Sequence, residues 1–255
     1  MTSTAICFLV PFDEKDSAKT LGARWNPDLK VWYAPTPEVA AAMAGRWKVI
    51  EDTRPITALP GEDRQFGTGL FVDLIPRSCW FTNVRYCLAP EDWTRLSLGI
   101  RERASQSCEI CGASKADGAV LEAHERWDYQ DNGVQVLKRL VCVCQPCHRV
   151  THYGLSKLKG LEEACVEHWR DVNGAEDLDA HLQEAWSLWE HRNLTDWTLD
   201  LSIIESAGLT IVRPVPYKDR QRIATEELDA RLNADLENQL AHSGGFGADP
   251  FDMQG

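Results

Sequence analysis

The chain has 255 residues, 44% of them hydrophobic and 26% charged, with a formal net charge of −12 at pH 7. That length suffices for one large domain or two small ones with buried cores, and no apolar run approaches the ~20 residues that a bilayer span requires. The start, MTSTAICFLVPFDEKD, has neither the basic opening nor the small-residue cleavage site of a signal peptide, so a cytoplasmic location without membrane contact is expected. The acidity is uneven: residues 161–255 hold 7 Lys and Arg against 20 Asp and Glu, and the remainder is close to neutral. No segment has the basic excess of a dedicated DNA-binding module, although a near-neutral segment can still present a basic face. Nine cysteines, an odd count that includes two C-x-x-C pairs, suit a reducing compartment and metal binding better than disulfides.

Residues 1–50 predict a small α+β unit. The apolar run Ile6–Val10 stops at Pro11, and a helix follows with Asp13 as N-cap, Glu14 and Asp16 in its first turn, and Gly22 as its end. Asn26-Pro27-Asp28 is a turn, Lys30–Ala34 a strand, Pro37–Ala44 a helix stopped by Gly45, and Arg46–Ile50 a further strand. Trp25, Trp32 and Tyr33, with Lys15, Lys19, Arg24 and Lys30 around them, fit two readings: a stacking platform for single-stranded bases with a cationic rim, or the core of a very small domain. The stretch LVPFDEKDSAKTLGARWNPDLKVWYAP resembles a small domain of unknown function that recurs in plasmid TraC-type primases and phage proteins. The resemblance covers residues 5–50 and implies an accessory module on proteins that handle DNA.

Residues 51–70 are rich in Pro, Gly and charge and read as a linker. Residues 71–104 form a helical lead-in whose helix begins near Pro90-Glu91-Asp92 and sets Trp93, Leu96 and Ile100 on one face. Arg77, Asn83 and Arg85 precede it in a loop, placed either to reach phosphates or to tie the loop to its own backbone.

Residues 105–160 carry the strongest signal. Cys108-x-x-Cys111 and Cys144-x-x-Cys147 each place two thiolates on one tight turn, and four thiolates complete the tetrahedral shell of a structural Zn²⁺. Cys142, two residues before Cys144, competes for the same role, while Cys7, Cys79, Cys87 and Cys165 read as small buried hydrophobes. Between the pairs, Leu121–Arg126 predicts a strand carrying His124, Asp131-Asn132-Gly133 a hairpin turn, and Val134–Val143 the returning strand. A helix from Pro146 then carries Cys147, His148 and His152, the two histidines at i, i+4 and so on one face, a spacing suited to a second metal ion.

The order knuckle, hairpin, knuckle, helix, with C-x-x-C…H…C-x-x-C-H-x-x-x-H, resembles the HNH (ββα-metal) endonuclease family in its zinc-stabilised, treble-clef-like form. The wider stretch 71–201 shares further motifs with proteins labelled HNH endonuclease: Cys79-Trp80-Phe81-Thr82-Asn83-Val84-Arg85, His124-Glu125-Arg126-Trp127, Val172-Asn173-Gly174 and Trp197-Thr198-Leu199-Asp200-Leu201. The resemblance implies a one-metal phosphodiesterase acting on DNA in a phage, plasmid or bacterial-defence setting. It makes His124 the general base and gives His148 and His152 a catalytic divalent ion, Mg²⁺, Mn²⁺ or Zn²⁺. It leaves the four-cysteine zinc with folding energy alone, on the order of 10 kcal/mol. Two positions depart from the family: Ala123 stands where a metal-ligating Asp or His precedes the base, and Arg139 where an orienting Asn is usual. Glu122, two residues from His124 and on the same strand face, is a substitute ligand. Arg139 and Arg149 join Arg77, Asn83, Arg85, Lys15, Lys19 and Arg24 as candidate nucleic-acid contacts. The alternative is a non-catalytic zinc-binding adaptor for nucleic acid or protein with a degenerate HNH site.

The acidic remainder predicts helices over Leu161–Val172, ended by an αL cap at Asn173-Gly174, and over Leu178–Arg192, with an extended segment over Trp197–Val212. His168, His181 and His191 lie on the two helices with no ligand geometry joining them. In residues 216–255 the helix Asp219–His242 sets Leu228, Leu232, Leu236 and Leu240 in a narrow stripe, which calls for a protein partner or a second copy, and the Gly-rich acidic tail predicts disorder.

Overall fold

The computed structural model of the protein describes residues 6–27, 29 and 31–243. The N-terminal unit runs β1 (Ile6–Leu9), α1 (Lys15–Thr20), β2 (Arg24–Asn26), β3 (Val31–Ala34), α2 (Pro37–Ala44) and β4 (Lys48–Ile50), with the antiparallel sheet in the order β2-β3-β1-β4. Asp13 does not cap α1. It sits inside a 3₁₀ turn, Phe12–Glu14, that Pro11 introduces, and the α-helix begins at Lys15. The Thr36 side chain accepts the Val39 N–H at the start of α2, with Pro37 as the first helical residue, where its missing N–H costs nothing.

Strand β2 leaves almost no trace in the sequence, because its three residues are held by pairing with β3 and have no alternation of their own. Trp25 stands opposite Trp32 in that ladder, ring centroids 5.5 Å apart. The two readings of these tryptophans divide by residue. Trp32 is buried with Phe8, Ala18, Ala40, Met43 and Trp47, whereas Trp25 is 46% exposed beside exposed Arg24. Lys15 lies 3.7 Å from the Phe12 ring centroid and Lys19 pairs with Asp16; Lys30 lies outside the described residues.

Residues 51–70 form no helix or strand, yet they are not a free linker. Leu59 and Leu70 are buried in the main core. The Ile56 N–H donates to the Arg95 carbonyl, and the Asp63 N–H to that of Lys138. Glu62 takes both terminal nitrogens of Arg103 at 2.6 Å and accepts the Leu140 N–H. The Glu62 carboxylate is used internally while Arg54 and Arg64 stay exposed, and the segment is a strap packed on its neighbours.

The main body is built on a hairpin of β5 (Leu121–Gln130) and β6 (Val134–Cys144), paired from Leu121↔Cys144 to Gln130↔Val134 with a bulge between Arg126 and Trp127. Gly133, at φ 78, makes the left-handed turn step that the hairpin end requires. The short helix α3 (Val84–Cys87) and α4 (Pro90–Arg103) precede the hairpin, and Leu96 and Ile100 enter its core with Leu137, Leu140 and Val141.

Helix α5 (Gln145–Thr151) leaves β6 with no loop, because Cys144 is its N-cap and Pro146 lies in its first turn. Helices α6 (Tyr153–Leu158), α7 (Glu162–Asn173) and α8 (Leu178–Arg192) follow. Gly174 ends α7 at φ 64 and ψ −122, a glycine conformation but not the αL cap expected. Nor is Trp197–Val212 extended throughout: only β7 (Thr198–Asp200) is a strand, parallel to β6, and α9 (Ser202–Ser206) follows at once.

The last helix, α10 (Tyr217–Ser243), is pinned near its start by buried Arg220, which donates to Thr82 Oγ1, the Trp197 carbonyl and Gln135 Oε1. Of the leucine stripe, Leu228 is half-buried; the side chains of Leu232, Leu236 and Leu240, and residues 244–255, lie outside the described residues. Among the described residues no helix is long and apolar enough to cross a membrane.

Candidate metal centres

Two donor clusters converge where the hairpin meets α5. The first knuckle turns through Cys108–Gly112, with the Gly112 N–H on the Cys108 carbonyl and Gly112 at φ 78. The second is the junction of β6 and α5. The sulfurs of Cys108, Cys111, Cys144 and Cys147 lie within 4.8 Å of one another, with Cys111 and Cys144 at 3.5 Å. Sulfurs about 2.3 Å from a central ion stand roughly 3.8 Å apart in a tetrahedron, so the four can hold a metal ion such as zinc. Hydrogen bonds from Cys144 and Cys147 hold the Cys108 pKa far below the usual thiol range, and the same contacts raise those of Cys144 and Cys147, so the cluster shares its protons among neighbouring sulfurs. Cys142 does not belong to the cluster: its side chain is buried in the core, which pushes its thiol up to about 12.

The second cluster is His124, His148 and His152, whose nearest ring nitrogens also lie within 4.8 Å of one another. The ring centroids are 4.8 to 4.9 Å apart in edge-on pairs. Strand β5 supplies His124, and the i, i+4 step of α5 supplies the other two; the register Leu121↔Cys144 brings the start of α5 alongside that of β5. His124 is 4% exposed, and its Nε2 is buried with no hydrogen-bond partner among the described residues. Burial lowers its pKa well below the ordinary histidine value, with His152, His148 and Arg126 adding to the shift. Burial likewise takes His152 to about 3, helped by His148 and Arg126. Both imidazoles are neutral at physiological pH and have lone pairs to give. A buried, unpartnered ring nitrogen on an imidazole packed against two others is donor chemistry that suits a divalent metal ion.

Glu122, the substitute ligand suggested by the strand spacing, stands against His148. Its Oε2 lies 2.6 Å from His148 Nδ1, so the carboxylate fixes that ring and leaves Nε2 for a ligand. Glu125 lies on the opposite strand face, where its buried carboxylate accepts the Val84 N–H at 3.1 Å and stands 4.0 Å from His124 Nδ1. Burial raises its pKa.

The expected nucleic-acid contacts separate into distinct places. Arg139 is buried and bound to the Arg64 carbonyl and to Glu109, so it faces no solvent from which a phosphate would approach. Asn83 caps α3 through the Tyr86 N–H, the local reading of the two open to it. Arg85 is exposed, exposed Arg77 lies over the Trp189 ring, and Arg149 holds Gln145 on α5 beside His148. Lys15, Lys19 and Arg24 belong to the N-terminal sheet unit.

Two residues near the centres had no signal in the sequence. His168 on α7 brings Nε2 to 3.1 Å from Cys147 Sγ. Arg126, fully buried over the Phe71 ring, is a cation whose charge acts on His124 and His152. Both depend on packing between segments distant in sequence.

A family model described as a domain of unknown function, DUF5710, matches residues 6–48, in agreement with the small domain of unknown function read there. No curated protein and no solved structure matches the chain. The match lies in the N-terminal unit, so the reading of the two clusters stands on their own geometry.

Proposed function

We propose that the protein is a metal-dependent phosphodiesterase of HNH type that acts on DNA, with a zinc held by Cys108, Cys111, Cys144 and Cys147 as the clamp of its ββα unit. The observation that carries the reading is the convergence of three imidazoles within 4.8 Å of one another, with His124 Nε2 buried and unpartnered. In this assignment His124 is a third ligand with His148 and His152, and not the general base that the resemblance suggests, because its Nε2 is buried without a partner and its ring packs edge-on against the other two. A divalent ion bound there would polarise a phosphate oxygen and stabilise the leaving oxygen. Glu122 holds the His148 ring through Nδ1, and Arg126 adds positive charge on the same strand face as His124.

A specific observation favours the second reading, a non-catalytic metal-binding adaptor. Glu122 and Glu125, the carboxylates in contact with the histidine cluster, are engaged with His148 and the Val84 N–H. Neither is therefore ready to take a proton from water.

Incubation of the purified protein with plasmid DNA in Mg²⁺ or Mn²⁺, beside His148→Ala, separates the two. Nicking or linearisation that chelator and the variant both abolish supports the enzyme. DNA binding without cleavage supports the adaptor, and cleavage equal in variant and wild type overturns the enzyme.

A further inference from the structure

In a C-x-x-C turn the backbone folds so that the amide of the second cysteine points at the sulfur of the first. The structure follows that rule: Cys108 receives backbone hydrogen bonds from Cys111 and Cys144, and Cys144 receives one from Cys147. For Cys147, the second cysteine of its pair, no backbone donor stands among the leading contacts to its sulfur. Cys111 is partly exposed, and water can serve it. Cys147 is fully buried, and water cannot reach it. Four thiolates on one divalent ion carry a net charge of about −2, so a buried sulfur without a donor is costly.

Cys147 does have a polar neighbour beyond the cluster, His168 Nε2 at 3.1 Å. We propose that His168 is the N–H donor to the Cys147 thiolate, and that through it helix α7 becomes part of the four-cysteine metal centre. The proposal rests on the reading of the four cysteines as a metal site and goes beyond it in assigning a positioning residue outside both C-x-x-C motifs. With Nε2 protonated toward sulfur, the neutral ring keeps its charge at zero and takes part of the thiolate charge through the hydrogen bond. The consequence reaches the histidine cluster too, because Cys147 adjoins His148 in α5 and fixes the turn from which His148 projects.

His168 lines an open cleft with Arg149, Glu167 and Asp171, so its replacement deletes the contact to sulfur without opening the core. The test compares zinc affinity, by competition with a chromophoric chelator, in wild type, His168→Ala and His168→Gln, with circular dichroism to verify folding. Loss of such a supporting donor costs about 10- to 100-fold in metal affinity, and that loss is expected for His168→Ala. The Gln amide also donates an N–H, and His168→Gln is expected to recover most of the affinity. Hydrogen exchange at α7 should rise on removal of zinc from the wild type and be raised already in His168→Ala.

Unchanged affinity in His168→Ala overturns the proposal, as does failure of His168→Gln to recover it. Cobalt substitution gives a third check: a four-sulfur absorption spectrum is expected in wild type and His168→Ala alike, and a wild-type spectrum of three sulfurs and one nitrogen would make His168 a ligand and overturn the donor role. A wild-type protein with no more zinc than Cys108→Ser overturns the metal reading itself and the proposal with it, an outcome distinct from the others.

Discussion

Replacement of Glu122 tests the histidine centre most directly, because the carboxylate touches His148 and its two roles, orienting that ring or binding the metal, give different losses. Its Oε2 is 2.6 Å from His148 Nδ1, and the two side chains are 33% and 29% exposed. A hydrogen bond to a charged group is worth about 1.5–3 kcal/mol when sheltered. Partial exposure reduces that, since water screens the pair and competes for both groups. A net loss of about 1.4 kcal/mol follows, which is roughly tenfold in metal affinity. Glu122→Ala removes the partner outright, so His148 can rotate and take either tautomer. Glu122→Gln keeps an acceptor oxygen and should lose less. Titration calorimetry with Mn²⁺ or Co²⁺ on protein whose cysteine site is already loaded with zinc isolates the three-histidine site. An affinity unchanged in Glu122→Ala would refute the assignment of Glu122 as the group that orients His148, and total loss of binding in both variants would make Glu122 a direct ligand.

Further expectations follow from the packing. Trp32→Ala should destabilise the N-terminal unit by about 3–5 kcal/mol in urea unfolding, whereas Trp25→Ala, at a 46% exposed position, should cost under about 1 kcal/mol. If Trp25 stacks bases, that second variant will weaken single-stranded DNA binding while leaving the fold intact. Gly99→Ala would set a methyl group 2.0 Å from the Ile56 carbonyl oxygen, so the strap over residues 51–70 must lift. A loss of at least about 1–3 kcal/mol and new proteolysis near Leu59 are expected. Arg220→Met leaves the Gln135 and Thr82 oxygens without this donor and should cost about 1–3 kcal/mol, seen as faster hydrogen exchange at the start of α10.

Metal-free protein should also lose stability in acid. The folded pKa values of His124 and His152 lie below the unfolded ~6.5, so at neutral pH neither form binds a proton and there is no penalty. As pH falls below ~6.5 the unfolded state takes up protons that the folded state refuses, down to about 3 for His152. Each imidazole then contributes up to ~1.4 kcal/mol of destabilisation per pH unit. Urea midpoints measured from pH 7 to 4 with chelator present should fall more steeply than in His152→Phe, and parallel slopes would refute the burial argument.

Much of the molecule is legible in the chain itself because its signals are local. C-x-x-C pairs, the Asp131-Asn132-Gly133 turn, Pro146 at the start of a helix and the i, i+4 histidines each depend on a few neighbouring residues, and they suffice to forecast a hairpin, a helix and two donor sets at one end. Thr36-Pro37 and the apolar face of α4 are legible in the same way. What the sequence could not contain is any contact whose partner lies far along the chain. Glu62 reaches Arg103 and turns an apparent linker into a packed strap, Glu122 sets its carboxylate against His148, and His168 arrives at Cys147 from a separate helix 21 residues further along the chain. The donor sets follow from spacing, which covalent geometry dictates. The groups that hold those donors in place follow from packing, and packing exists only when the whole chain has folded.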